Sequence, residues 1–587
     1  MNTSLKNVSR ETDFCVIGGG MAGMLASISA ARHGAKVVLI QDRPVLGGNA
    51  SSEIRMWIRG AHGAQNKETG ILSEIELENI YRNSTLNFSL WDSVLFGMVK
   101  AEPNITLLLN CSCADATVEN GKIISVTAWQ LTTYTWHTIF ARYFADCSGD
   151  SILAPLTGAK YTKGREAAAQ YKESIEPETS DSKTMGMTCM MQARETDHKV
   201  DFVAPAWAHV YNTHEEMNHR GHDVRNENWW WMELGGEADS IHDTEELRDE
   251  LLKIAFGIWD HIKNKGDHGA DNFELDWVGF LPGKRESIRY IGDYVLTQND
   301  VSDGGHFDDL VAYGGWSMDD HNPAGFHHNG APTIFHPAPS PYGIPYRSLY
   351  SVNIDNLFFA GRNISASHAA LSSTRVMATC AVIGQAMGTA AAICVANKLS
   401  PREVYQTKLS ALQTMLLDDG CFLPYHARRI PECSKNSSVN LSTEQKEILF
   451  NGIERPNADM TDNKIVLEKG SSIDFKLTNP EQITSLRIVF DFDFIRQYEK
   501  NGNHKRFPMK CATLMDFEPL IVPKTLVKAF TVMGTDEKGT KATIFETTNN
   551  YQHILHIPVE KTLTELSIRF DSTWGATEVS LYSCDFV

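Results

Sequence analysis

The sequence holds no C-x-x-C run, and its 11 cysteines are scattered singly apart from Cys111-Ser112-Cys113. Iron–sulfur ligation takes several thiolates at short fixed spacing, so no such cluster is expected. An odd cysteine count in a chain of 587 residues also argues against a disulfide framework and fits a reducing compartment. Blocks of lysine and arginine are missing as well. At a formal net charge of -19, the chain lacks the clustered cations that displace counterions from a phosphate backbone, so no nucleic-acid partner is expected. No run reaches the roughly 18 uninterrupted apolar residues of a membrane span. The most apolar stretch, 378–396, is broken by Gly, Gln and Thr and reads as a buried helix, so no membrane association is expected. The opening residues MNTSLKNVSRETD lack the apolar segment of a secretory signal, which makes the cytoplasm the expected location.

What is present is the composition of a globular enzyme, 42% apolar and 22% charged. The apolar run 14–17 stops at Gly18-Gly19-Gly20, residues 21–33 read as a small-residue helix, and 36–40 as a second buried strand. This is the first β-α-β unit of a parallel sheet. Between 104 and 146 the pattern turns to short β-rich runs, with Asn120-Gly121 placed as a hairpin turn, which predicts an inserted β-meander. Residues 166–345, rich in Trp, His, Gly and Pro, suit a loop-rich substrate domain with helix-like pieces near 243–265. A strand at 354–360, Gly361 and a helix over about 372–397 repeat the strand–glycine–helix order of the N-terminus. A polar linker, 434–443, then precedes alternating runs at 485–491, 542–546, 553–558 and 565–570, which predict an antiparallel β-sandwich over 444–587. The expected fold class is thus α/β: a Rossmann-type domain in two parts, 11–165 and 346–433, a substrate domain between them, and the C-terminal sandwich.

Gly18-x-Gly20-x-x-Gly23, with Met21 and Ala22 between the glycines, follows a strand and opens a helix. The glycines permit a tight turn, approach of a pyrophosphate to backbone amides and close helix–strand packing. The second strand ends Ile40-Gln41-Asp42, where a carboxylate ordinarily accepts ribose hydroxyls; Gln41 departs from that pattern with Asp42 one residue late, and these two are the expected ribose contacts.

The stretch DFCVIGGGMAGMLASISAARHGAKVVLIQDRPVLGGNASSEIRM resembles the N-terminal signature of the FAD-dependent oxidoreductase family. YFADCSGDSILAPLTGAKY and NLFFAGRNISASHAALSSTRVMATCAVIGQAMGTAAA resemble later segments of that family, and LPGKRESIRYIGDYVLTQNDV and PYGIPYRSLY are similar to others. The resemblance covers most of residues 13–397 and leaves the tail unexplained. It implies one FAD, with Gly47, Gly48, Asn49, Ser51, Gly149, Asp150, Gly361, Arg362, Ser373 and Thr374 contacting it. It also implies that the helix from 372 directs its positive end toward the flavin. The first glycine motif alone is shared with NAD enzymes, but the later glycine segments favour FAD. A second such motif is missing, so the electron acceptor is expected to come from elsewhere.

Flavin supplies hydride chemistry, so the protein has to supply a base and cations. His368, just after the last strand, is the expected base. Arg375 is expected to orient substrate or balance reduced flavin. Arg285 and Arg289, flanking Glu286, are suited to gripping a carboxylate or vicinal hydroxyls. Residues 319–336 carry Asp319, His321, His327, His328 and His336 without a compact ligand pattern, so no metal is expected and His321 is read as a polar contact in the active site. Trp229-Trp230-Trp231 reads as core packing or as a sugar platform. The leading expectation is an oxidoreductase acting on a polar small molecule, with a carbohydrate hydroxyl as the favoured substrate. The alternatives are a glycan-binding protein with a vestigial flavin domain, or a flavin amine or thiol oxidoreductase. With one tryptophan, Trp574, after residue 444, the tail is expected to be structural or to form a homo-oligomer.

Overall fold

The computed structural model describes residues 5–63, 66–225, 228–456, 463–493 and 508–587. The chain divides into two units, each drawn from three stretches: unit 1 from 1–62, 85–413 and 507–519, and unit 2 from 63–84, 414–506 and 520–587.

Unit 1 is built on a sheet whose parallel part runs β3 (Ile105–Leu108), β2 (Val37–Ile40), β1 (Lys6–Ile17), β6 (Thr135–Asp146) and then the strand Leu357–Phe359. β2 is apolar throughout and fully buried, as a strand covered on both faces must be. β4 (Cys111–Glu119), β5 (Lys122–Gln130) and the first half of β6 form the expected antiparallel meander. Asn120 and Gly121 both take positive φ, 49° and 74°, which is the two-residue hairpin turn their sequence favours. Helix α1 (Met21–Arg32) follows β1 and packs on the long helix Met377–Asn397. A Cβ at Gly384 would come within 2.1 Å of the carbonyl oxygen of Ala22, and one at Gly388 within 2.2 Å of that of Ala26, so the two helices touch backbone to backbone. Met377–Asn397 is, among the described residues, the one helix long and apolar enough to cross a membrane, and it is buried in this core.

The expected single helix over 372–397 is two. A short helix, His368–Thr374, is capped by the Ser367 side chain; the backbone turns to extended geometry at Val376 (ψ 143°), and the long helix begins at Met377. Poor helix formers, Ser372, Ser373 and Thr374, precede a β-branched residue at the break. The 166–345 region contributes the helix Thr244–Asn264 and a set of two-stranded ribbons, among them Met318–His321 with Thr333–His336. Trp229 and Trp231 are buried in an apolar cluster with Trp259 and Phe326, so the tryptophan run is core.

Unit 2 holds a seven-stranded antiparallel sheet among its described residues. Its strands join into one hydrogen-bonded sheet through two long members, Ser472–Phe490 and Ile554–Thr573, which pair with register breaks. The runs 553–558 and 565–570, read as separate strands, are one. A single cluster including Ile488, Phe490, Phe530, Ile568 and Leu581 forms its core, and Leu77 of the helix Ile71–Arg82 joins it. The expected polar linker at 434–443 is part of this unit: Ser438–Val439 pairs with Phe475 and Lys476, and the buried Ser434 hydroxyl donates to the carbonyl of Phe586. The boundary thus falls near 413 rather than 444, and residues 507–519 return to unit 1.

Candidate active site

The first strand-to-helix turn is drawn tight by glycine. A Cβ at Gly23 would sit 1.9 Å from the carbonyl oxygen of Gly18, so only glycine lets α1 pack this closely on the strand end. Gly47 donates its N–H to the Gly19 carbonyl at 2.9 Å, and a Cβ at Gly48 would come within 3.1 Å of the Gly20 Cα, so the two glycine segments abut. Gly20 itself is open: a Cβ there would meet only the Gly48 Cα, at 3.8 Å. No side chain caps α1 at Gly20, which leaves the first helical N–H groups without a side-chain partner.

These residues border a cleft of about 400 Å³. Its lining includes Gly18, Gly20, Met21, Ala22, Gln41, Asp42, Gly47, Gly48, Asn49, Gly149, Asp150, Gly361 and Arg362. Gly23 and Ser51 do not line it; Gly23 serves the helix contact, and Ser51 is buried beside the second glycine pair, its N–H donating to the Gly48 carbonyl. Gln41 accepts the Gly19 N–H at 2.7 Å and donates to the Val45 carbonyl at 3.1 Å, so its amide braces the glycine loop, while Asp42 stands exposed at the rim. Asp150 bridges Arg362 (2.5 Å) and Lys284 (2.8 Å). Burial alone would raise its pKa, but those two cations hold the carboxyl down at about 2.

Ser373 and Thr374 lie elsewhere. The Ser373 hydroxyl donates to the Trp316 carbonyl and meets the Tyr342 hydroxyl, and both residues are buried off the cleft. The break at Val376 is the reason: the helix start that borders the cleft is Met377, which lines it with Cys380 and has no side-chain cap before it.

A smaller cavity of about 70 Å³ continues the cleft, sharing Asn49, Ile54, Lys284, Arg362, Arg375 and Met377 with it. Its remaining wall includes Trp57, Arg59, Thr188, Met190 and Arg285. Arg375 and Arg285 therefore border this cavity. They are joined behind it. Arg285 Nη1 lies 3.5 Å from Glu233 Oε2, which is 2.6 Å from His321 Nδ1; His321 Nε2 is 3.3 Å from Asp319 Oδ2, which is 3.1 Å from Arg375 Nη2. All five are nine-tenths buried or nearly so as side chains. Burial works against both carboxylates, but Arg285 and His321 keep Glu233 below its ordinary pKa, and His321 and Arg375 do the same for Asp319. His321 thus acts as the middle of an ionic chain that positions two arginines and does not itself line either cavity.

His368 and Arg289 occupy a second buried network and do not line either cavity. Arg289 is fully buried, pairs with Glu286 and Glu166, and donates to the carbonyls of Ala366 and Gly164. His368 Nδ1 is 2.9 Å from Glu286 and its Nε2 3.3 Å from Asp320. Burial by itself would favour neutral imidazole, but Glu286 and Asp320 raise its pKa well above the ordinary value. A histidine held protonated between carboxylates is a poor proton acceptor, so the base role expected of His368 is not supported by its surroundings. Nearby Glu176 is raised by burial to about 7, with neither carboxyl oxygen hydrogen-bonded among the described residues.

Sequence reasoning did not single out Trp57, Arg59, Lys284 or Met377. Trp57 and Arg59 directly follow the GGNASSEIRM run, and Lys284 precedes Arg285 in a segment already quoted, so proximity to the motifs was the available signal.

Residues 13–416 match the family described as FAD dependent oxidoreductase. The chain belongs to that family. It is an enzyme that binds FAD, and the glycine cradle, the uncapped start of α1 and the long cleft fit a dinucleotide. Among solved structures, a geranylgeranyl bacteriochlorophyll reductase-like protein from Thermoplasma acidophilum is 12% identical over 70% of this chain and 84% of its own, with a TM-score of 0.32. The E. coli quinol fumarate reductase FrdA is 11% identical over 70% and 75%, with a TM-score of 0.27. A family 32 carbohydrate-binding module from Streptococcus pneumoniae EndoD is 17% identical over 27% of this chain and 97% of its own, with a TM-score of 0.19. No curated protein matches.

Proposed function

We propose that this flavoenzyme oxidises a small, oxygen-rich anion of the hydroxy-acid class, which includes sugar acids. The observation that carries the reading is the cavity wall: Arg59, Arg285 and Arg375 contribute to it together with Lys284 and Arg362, and none of its described lining residues is acidic. Arginine forks match carboxylate geometry, and the buried Glu233–His321–Asp319 run holds Arg285 and Arg375 at fixed separation. Trp57 offers an apolar wall that excludes water. FAD, when bound, would supply the hydride acceptor. Cations beside the hydroxyl would favour loss of its proton to solvent water, and the alkoxide so held would give up hydride more readily. Glu233, Asp319 and Asp150 pair with Arg285, Arg375 and Arg362 in part, and the guanidinium donors left over are matched better by a carboxylate than by neutral hydroxyls, which is why the acid is preferred over the plain sugar.

Reoxidation is assigned to a separate acceptor. The eleven free thiols, ten of them buried, support work in a reducing compartment such as the cytoplasm.

The test is an anaerobic screen of the oxidised holoenzyme against hydroxy acids, sugar acids, neutral sugars, glycosides and amines, following bleaching of the flavin band. Reduction by acids, with Arg285→Ala and Arg375→Ala raising the substrate concentration for half-maximal rate by roughly 10–100-fold, is the expected result. Reduction by neutral sugars or amines alone would replace the anionic reading.

A further inference from the structure

Three histidines of unit 1 that line neither cavity converge from separate positions in the chain. His222 follows the short turn Glu215–Met217, His261 lies in the last turn of the helix Thr244–Asn264, and His268 in the loop after it. Nε2 of His222 is 3.0 Å from Nδ1 of His268, the ring of His261 lies 4.8 Å from that of His268 and 5.4 Å from that of His222, and one nitrogen from each falls within 4.8 Å of the other two.

The outward nitrogens are already fixed. Nδ1 of His222 faces the Arg220 carbonyl at 3.0 Å, and Nδ1 of His261 faces the Tyr211 carbonyl at 3.0 Å. A carbonyl oxygen only accepts, so both Nδ1 atoms carry the proton and both Nε2 atoms present a lone pair to the cluster. Nε2 of His261, a residue 97% buried at a relative exposure of 3%, has no hydrogen-bond partner among the described residues. Such a lone pair, aimed into a nest of two more imidazoles, lacks the donor that burial demands. A backbone carbonyl holding the far nitrogen of a histidine is also the arrangement by which proteins orient metal-ligating imidazoles.

We propose that His222, His261 and His268 bind a first-row divalent metal ion of the zinc type. Zn–N bonds of about 2.0–2.1 Å place tetrahedral ligands roughly 3.3 Å apart, close to the His222–His268 nitrogen separation already present. An all-imidazole set suits Zn²⁺, Co²⁺ or Ni²⁺ over Ca²⁺ or Mg²⁺, which take oxygen ligands. His214, whose ring is 4.9 Å from that of His222, is the candidate fourth ligand. The ion ties the segment carrying His214 and His222 to the end of the helix Thr244–Asn264, a structural role independent of the redox reaction.

The test uses the full-length, FAD-loaded protein after dialysis against a chelator. Zn²⁺ titration followed by elemental analysis is expected to give one tightly held equivalent per chain and a higher unfolding temperature. Co²⁺ is expected to add a ligand-field band to the flavin-subtracted spectrum. The double variant His261→Gln, His268→Gln is expected to lose the metal and keep the flavin spectrum. If that variant does not fold, the half-buried His222→Gln gives the same comparison, and X-ray absorption on Zn-loaded wild type is expected to report three or more imidazole nitrogens. Retention of less than a tenth of an equivalent by wild type, metal binding unchanged in folded variants, or a coordination sphere of thiolates or carboxylates would each overturn the site.

Discussion

Glu233 Oε2 and His321 Nδ1 meet at 2.6 Å in the interior of unit 1, and through them two cavity arginines are held in one ionic chain. Removing one member of a buried ionic group leaves its partners uncompensated, at a cost of about 3–5 kcal/mol. Glu233→Gln, which keeps the shape and removes the charge, is therefore expected to lower the unfolding free energy read from urea denaturation by an amount in that range. In the folded fraction it should weaken substrate binding more than it slows flavin reduction at saturation. Equal loss of both parameters would show that the chain does more than position Arg285.

His368→Asn is expected to change the rate of substrate-driven flavin reduction by less than tenfold, whereas loss of a general base costs roughly 10²–10⁴-fold. Its effect belongs to stability. The folded pKa is raised above the unfolded value of about 6.5, so the stabilisation is complete below that pH and is lost as pH rises through the folded value. Denaturant midpoints of wild type and variant should differ most at acid pH and converge in alkali.

Glu176 makes the opposite prediction for its own removal. Its carboxyl, buried next to Glu166 and Glu173 as well as His368 and Arg289, is raised to about 7. The native state then holds a proton that the unfolded chain has released, so stability falls as pH rises from about 4.5 to 7. Glu176→Gln should stabilise the protein by an amount on the order of 1–3 kcal/mol at pH 8 and by little at pH 4, measured by urea unfolding at the two pH values.

Gly20 and Gly23 separate cofactor loss from misfolding. Gly20→Ala meets no backbone closer than 3.8 Å and should fold with an unfolding temperature near that of wild type, yet bind FAD at least tenfold more weakly because the methyl borders the cleft. Gly23→Ala meets the Gly18 carbonyl at 1.9 Å and should lose solubility or unfolding cooperativity along with the flavin. Flavin content after gel filtration, beside a thermal melt, distinguishes the two; FAD rather than FMN should be released on heating.

Local features were legible in the sequence. The Gly18–Gly23 turn, the Asn120-Gly121 hairpin and the parallel strands each depend on residues within a few positions of one another. The arginine-bearing wall was half legible, because Arg285 and Arg375 sit in recognisable segments while Glu233, Asp319 and His321, which connect them, reach the same place only through tertiary folding. His368 shows the limit of counting along a chain. Seven positions past Gly361 fixes a contour length, not the direction of a side chain, and Glu286 and Asp320 draw the ring away from the cavities. Domain boundaries failed for a similar reason: residues 508–519 look like part of the tail by order, yet Met509 accepts the N–H of Ile58 and Thr513 that of Glu195, both in unit 1.

The contact between α1 and Met377–Asn397 bears on how the protein is made. Ser29 and Thr389, 360 positions apart, share a buried hydrogen bond of 2.8 Å along that seam. At roughly 5–20 residues per second, a ribosome leaves α1 waiting about 20–70 s for its partner helix. During that interval the face of α1 that packs on Met377–Asn397 has no partner helix to cover it.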